Sequence, residues 1–268
     1  MSSTIRILCI GDVIGKPGRV AIHRLLPDLI DRHHLDLVIA NAENAAGGIG
    51  LTTDVANELF SEPINMLTSG NHIWRHREII AYLDKEPRLL RPFNLPENTP
   101  GKGYGICKTS SGIKVGVICL LGQIFMEAFP SPFDAVLKAI AALEAETSII
   151  VVDMHAEATS EKRAMGWLLD GRASAVFGTH THVLTADEEI LPKGTGYITD
   201  IGMTGPFDSV IGMKKELILE RFLTMRPAPF VVAKGNVRLC GAIFEIDSTT
   251  GHAVAIQRVN EPLDSTNY

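Results

Sequence analysis

The chain has 268 residues, 25 lysines and arginines against 31 aspartates and glutamates, a formal net charge of −6, and 46% hydrophobic residues. This is a globular composition with enough apolar material for a sizeable core, and the expectation is a single domain over residues 1–268. The negative balance argues against a broad grip on duplex nucleic acid, and no apolar run reaches the ~18 residues that a membrane span needs.

The first residues run straight into Ile7–Ile10, an apolar stretch too short for the core of a signal peptide. Cys9, Cys107, Cys119 and Cys240 sit singly in or beside apolar runs without the paired spacing of a zinc site. They read as free thiols of a reducing compartment, so a cytoplasmic location is expected. The residues from Ile5 to Ile10 are predicted to form a buried strand stopped by Gly11-Asp12. The glycine-rich stretch Gly11–Gly18 then leads to a predicted helix over residues 20–31. That stretch is not a phosphate-binding P-loop. Its spacing is one residue short, and Pro17 stands where a hydroxyl residue should hold magnesium.

A second strand is expected over residues 35–40, followed by Asn41-Ala-Glu43-Asn44. Thr52 or Thr53 should cap a helix running to Phe60. A third strand over residues 64–67 leads to Ser69-Gly70-Asn71-His72, and a helix is expected over 77–83. Residues 87–105 read as irregular. Residues 104–108 and 113–120 form a predicted hairpin joined at Ser110-Ser-Gly112. An amphipathic helix is expected over 133–146. Residues 148–153 make the most apolar strand, ending in Met154-His155-Ala-Glu157. A helix follows over 161–169, with Ser160 as its candidate cap. Residues 175–177 form a further strand that runs into Gly178-Thr-His180-Thr-His182. A strand over 197–201 leads to Asp200–Pro206. Two final strands, 237–246 and 253–259, turn at Ser248–Gly251, and the last few residues should be a loose tail.

His180 and His182 stand two apart. If the segment is extended, both imidazoles face the same side. By themselves they could be ordinary loop residues. Five predicted strands, however, end in side chains that ligate metals: Asp12; Glu43 with Asn44; Asn71 with His72; His155; and His180 with His182. Strand ends in an α/β sheet lie along one edge, where ligands collect. These oxygen and nitrogen donors are too many for one tetrahedral zinc and suit two ions sharing a carboxylate. Such a pair clamps the attacking and leaving oxygens of a displacement at phosphorus, and a water shared between them loses its proton near neutral pH.

Gly11-Asp12, Asn41-Ala-Glu43-Asn44, Gly70-Asn71-His72, Asp153-Met-His155 and Gly178-Thr-His-Thr-His182 resemble the five motifs of the calcineurin-like metallophosphoesterase superfamily. Asn41–Gly50, Met154–Lys162 and Asp200–Pro206 look more closely like the YmdB family of bacterial phosphodiesterases. The resemblance spans nearly the whole chain. It implies a four-layer α/β/β/α sandwich with mixed sheets. Metal one would be held by Asp12, Glu43, Asn44 and His182, and metal two by Glu43, Asn71, His155 and His180, with Glu43 bridging. His72 would protonate the leaving alkoxide. The superfamily's first motif usually reads Asp-x-His, but Ile14 occupies the histidine position and cannot ligate; Asn44 fills the vacancy by the closer resemblance. An amide oxygen in place of an imidazole favours iron or manganese over zinc.

The function expected is hydrolysis of small cyclic nucleotides, 2′,3′-cyclic or 3′,5′-cyclic. The rivals are a phosphomonoesterase or nuclease using the same site, and a non-catalytic scaffold. The resemblance also implies a homo-oligomer, a dimer or tetramer. Arg75, His76 and Arg77 are secondary candidates for phosphate contact. Glu157 and Thr181 could orient ligating histidines, and Met203–Pro206 could shape the pocket wall or a subunit contact. Trp74 and Trp167 read as packing residues.

Overall fold

The computed structural model describes residues 4–264. In chain order the first half contains β1 (Thr4–Ile10), β2 (Asp12–Val13), α1 (Gly15–His33), β3 (Leu37–Asn41), α2 (Thr53–Phe60), β4 (Met66–Thr68), α3 (Ile79–Leu83), β5 (Tyr104–Lys108) and β6 (Lys114–Leu121). The second half contains α4 (Pro132–Leu143), β7 (Ile150–His155), α5 (Thr159–Leu169), β8 (Ala175–Thr179), β9 (Glu189–Ile190), β10 (Gly196–Ile198) and β11 (Met203–Pro206). It closes with α6 (Lys215–Thr224), β12 (Val237–Asp247) and β13 (Ala253–Pro262).

Two mixed sheets form. One runs β2-β11-β12-β1-β3-β4 with β13 on β12; the other runs β5-β6-β7-β8-β10-β9. Alternation along the strands explains how they stack, because successive side chains face opposite sides of a sheet. Leu8 and Ile10 of β1 pack with Ala21, Leu26 and Leu59 of α1 and α2, whereas Ile5, Ile7 and Cys9 face the second sheet. In β6, Val115, Val117 and Cys119 meet them there, while Ile118 and Leu120 turn outward onto Val136, Ile140 and Met165 of α4 and α5. Three apolar seams therefore separate four layers, α/β/β/α, as expected.

The local differences have physical causes. Helix α1 begins at Gly15, earlier than predicted, because Pro17 lies in its first turn, where no intrahelical N–H bond is required. Ser160 does not cap α5; the helix starts at Thr159, and Ala158 stands at the cap position without a side-chain bond. Thr52 does cap α2, accepting from Val55 N–H at 3.3 Å. Helix α6 and strands β2, β9 and β11 lie outside the predicted set. The tail expected at the end of the chain lies outside the described residues.

Candidate metal centre

The ligand-type residues follow β1, β3 and β4 of one sheet and β7 and β8 of the other. They therefore meet where two facing sheets end together, rather than along one sheet's edge. Glu43, His155 and His180 each offer a donor atom within 4.8 Å of the others. Glu43 Oε1 lies 3.1 Å from His155 Nε2 and accepts from Asn44 Nδ2 at 3.0 Å. Its Oε2 accepts the backbone N–H of His72 at 3.1 Å. His155 Nε2 also lies 3.2 Å from Asn71 Oδ1 and 3.1 Å from His180 Nδ1. On the far side, Asp12 Oδ1 sits 3.8 Å from His182 Nε2, which is 3.4 Å from Asn44 Nδ2. In this orientation Asn44 Nδ2 faces the cluster, held by Glu43, and ligation through the amide oxygen requires half a turn of the amide, which a cation beside Glu43 favours. All eight predicted residues thus converge.

His180 and His182 converge for a different reason than the extended segment expected. Strand β8 stops at Thr179, and the two histidines take φ of 94° and 65°. Positive φ in a non-glycine residue is uncommon and persists only when its surroundings hold it. One holder is Asp12, whose Oδ2 accepts His180 N–H at 3.0 Å.

The outer ring nitrogens are also committed. Thr179 donates to Asp153 at 2.7 Å, so it accepts from His155 Nδ1–H at 2.9 Å, and Nε2 points into the cluster. His182 Nδ1 donates to the Ile211 carbonyl at 3.0 Å. His180 Nε2 pairs with Glu157 Oε2 at 3.2 Å, so Glu157 does orient a histidine. Behind them, buried Asp153 also accepts from Thr68 at 2.5 Å and Asn41 at 3.1 Å. Burial pushes its carboxyl up to about 6 while His155 and these donors pull it down. Asp153, Thr179 and Asn41 stand within the sequence motifs without an assigned role, and the Ile211 carbonyl carries no signal by type. Only the strand register places them behind the ligands.

Several features fit a bound cation. Asp12 Oδ1 is buried without any hydrogen-bond partner. Two imidazole nitrogens turned inward, on His155 and His180, face each other at 3.1 Å, which only a proton or a cation between them relieves. Protonation of His155 answers the same need. Burial disfavours the charged form of His155, but the carboxylates of Glu43, Asp12 and Asp153 raise it to about 9. Burial and the neighbouring His155 bring His180 down to about 3. Burial likewise opposes ionisation of Glu43, yet His155 and His72 bring it down to about 2. Gly70 leaves the room required, because a Cβ there would stand 2.2 Å from Glu43 Oε2 and 2.3 Å from His155 Nε2.

Secondary candidates divide. His76 faces the Ile49 carbonyl at 3.2 Å and steadies the glycine loop, while Arg75 and Arg77 are exposed. Thr181 bonds to Asp200 rather than to a histidine. Met203–Pro206 is buried strand β11, paired with β12 and with β2, where Met203 stands in register with Asp12. Trp74 packs against the first core. Trp167 is half exposed beneath the Arg163 guanidinium, so it is not a core residue.

A family model described as YmdB-like protein matches residues 8–259. A Bacillus subtilis (strain 168) protein named 2′,3′-cyclic-nucleotide 2′-phosphodiesterase is 48% identical over 255 residues, 95% of this chain and 96% of that protein. A crystal structure of a hypothetical protein from Thermus thermophilus superposes with a TM-score of 0.90 at 44% identity, covering 97% of this chain and 100% of the other. One described as a novel phosphatase from Mycoplasma pneumoniae gives a TM-score of 0.91 at 35% identity, covering 100% and 97%.

Proposed function

The chain belongs to the YmdB-like family, and from that premise we propose that it is a metal-dependent phosphodiesterase acting on small cyclic nucleotides. Substrates of the 2′,3′-cyclic class come first, given the Bacillus relative's name, and the 3′,5′-cyclic class second. The observation that carries the reading is the buried, partnerless oxygen of Asp12 beside inward-turned imidazoles at the junction of two sheets. Asp12, Glu43, Asn44 and His182 would hold one ion, and Glu43, Asn71, His155 and His180 a second, with Glu43 shared. Two amide oxygens and two carboxylates make the set hard enough to favour iron or manganese. Such ions polarise phosphoryl oxygens and activate water.

The chain's own residues supply the rest. Two carboxylates against two divalent ions leave about two positive charges, which suits an anionic diester. His72 is anchored by its backbone N–H on Glu43, yet its partly exposed imidazole has no hydrogen-bond partner among the described residues. It is free to meet the departing oxygen and protonate it, which matters because a ribose alkoxide is a poor leaving group.

A second reading, phosphomonoester hydrolysis, is favoured by the description of the Mycoplasma structure. Purified, manganese-supplemented protein should be assayed on 2′,3′-cyclic AMP, 3′,5′-cyclic AMP, p-nitrophenyl phosphate and a single-stranded oligonucleotide. Turnover of a cyclic diester with little monoester cleavage is the expected result. Monoester cleavage alone would favour the second reading, and oligonucleotide cleavage alone a nuclease. Silence on all four would sink the enzymatic reading and leave a scaffold.

Self-association and a cytoplasmic location extend the same reading. Helix α6 leaves Leu219, Phe222 and Leu223 exposed at i, i+3 and i+4, with Met225 and Phe230 exposed beside them. Exposed apolar side chains grouped in this way mark a surface suited to association. The four cysteines are free. Among the described residues no helix is long and apolar enough to cross a membrane.

A further inference from the structure

Asp200 is fully buried behind the loop that carries His180 and His182, and both its oxygens are engaged. Oδ2 accepts from Lys162 Nζ at 2.6 Å, Thr181 Oγ1 at 2.8 Å and Thr181 N–H at 3.3 Å; Oδ1 accepts from Gly202 N–H at 2.8 Å. With these donors around it, it does not serve as a ligand itself. Lys162 is 1% exposed, and its stem lies across Gly178, where a Cβ would meet its Cδ at 2.7 Å. A buried lysine–carboxylate pair costs desolvation that its own attraction barely offsets, so stability alone is a weak reason for its presence.

Its bonds lead to the metal centre by two routes. Through Thr181 it grips the residue between the two positive-φ histidines. Through Gly202 it sets a turn whose carbonyl accepts Asp12 N–H at 3.1 Å, and Asp12 in turn accepts His180 N–H. We propose that Asp200, held by Lys162, is the positioning residue that aims Asp12, His180 and His182, three of the seven donors, at the ions. The proposal rests on the metal-centre reading above. It assigns a role to a buried ion pair that touches neither ion nor substrate.

The test is calorimetric titration of ion-stripped protein with manganese(II), with circular dichroism to confirm the fold. Thr181→Ala removes one hydroxyl bond and leaves the ion pair intact; Lys162→Met and Asp200→Asn break the pair. Lys138→Met on the exposed face of α4 is the control. The expected result is a loss of roughly tenfold or more in manganese affinity for Thr181→Ala and at least as much for the other two, with the control unchanged. If the pair variants fail to fold, Thr181→Ala decides alone. Wild-type affinity in Thr181→Ala would overturn the proposal. Absence of binding to the wild-type chain would instead overturn the metal-centre reading on which it rests.

Discussion

At the scale of single residues, His72 and His155 are both histidines near Glu43, but their surroundings assign them different work. His155 is enclosed, with both ring nitrogens committed, whereas the His72 imidazole is partly exposed and unpartnered among the described residues. His72→Ala should therefore keep its metal while losing roughly 10²–10⁴-fold in turnover of a cyclic nucleotide. The loss should be much smaller for a p-nitrophenyl diester, whose leaving group needs little protonation. Metal loss in that variant, read by elemental analysis, would mean that His72 is a ligand. His155 makes a prediction about pH. A metal can take its Nε2 only after the proton leaves, and the surrounding carboxylates raise that proton's pKa to about 9. Manganese affinity should therefore rise from about pH 6.5 to about 8.5 and level off above about 9, by up to about tenfold per unit. A titration series showing affinity flat across that range would contradict the assignment. The candidate ligands were legible from their types at strand ends. The supporting roles of Thr179 and Asp153, which stand within the motifs, and of the Ile211 carbonyl were not, because a side chain or backbone carbonyl becomes a positioning group only once register and loop path are known.

At the scale of elements, strands announce themselves when they are apolar and bounded by glycine or polar turns, as β1, β3, β6, β7 and β8 are. The two-residue β2 and β9 are too short to show a period. Helix α6 escaped because Leu217, Ile218 and Leu219 stand on consecutive positions, so its apolar residues spread round the helix instead of forming one narrow stripe, and only Ile218 is buried. Alternation in the longer strands sets which seam each residue enters, and the middle seam carries the alignment of the two ligand-bearing sheet ends. Phe177 of β8 and Phe244 of β12 meet there with ring centroids 6.3 Å apart, both buried. Phe244→Ala should cost about 3–5 kcal/mol in urea unfolding. A loss under about 1 kcal/mol would show that the sheets are not held together at this point.

At the scale of the whole molecule, four layers bring five chain-distant motifs to one place, and that convergence was foreseeable from their order. A dimer or tetramer was expected from the family resemblance alone, since composition and periodicity do not show which apolar residues the fold leaves outside. The exposed stripe of α6 predicts that the protein sediments as a dimer or larger, and that Phe222→Glu with Leu223→Glu yields a folded monomer. A wild-type monomer at about 50 μM, against the micromolar or tighter affinity of a stable interface, would remove that surface from consideration. The centre itself is tested most directly by the metal-to-protein ratio after manganese loading, measured by elemental analysis on the wild type and Glu43→Gln. Two ions per chain, falling below one when the shared carboxylate is lost, is the predicted result. A wild-type ratio of one or none, or a Glu43→Gln variant that still holds two, would contradict it.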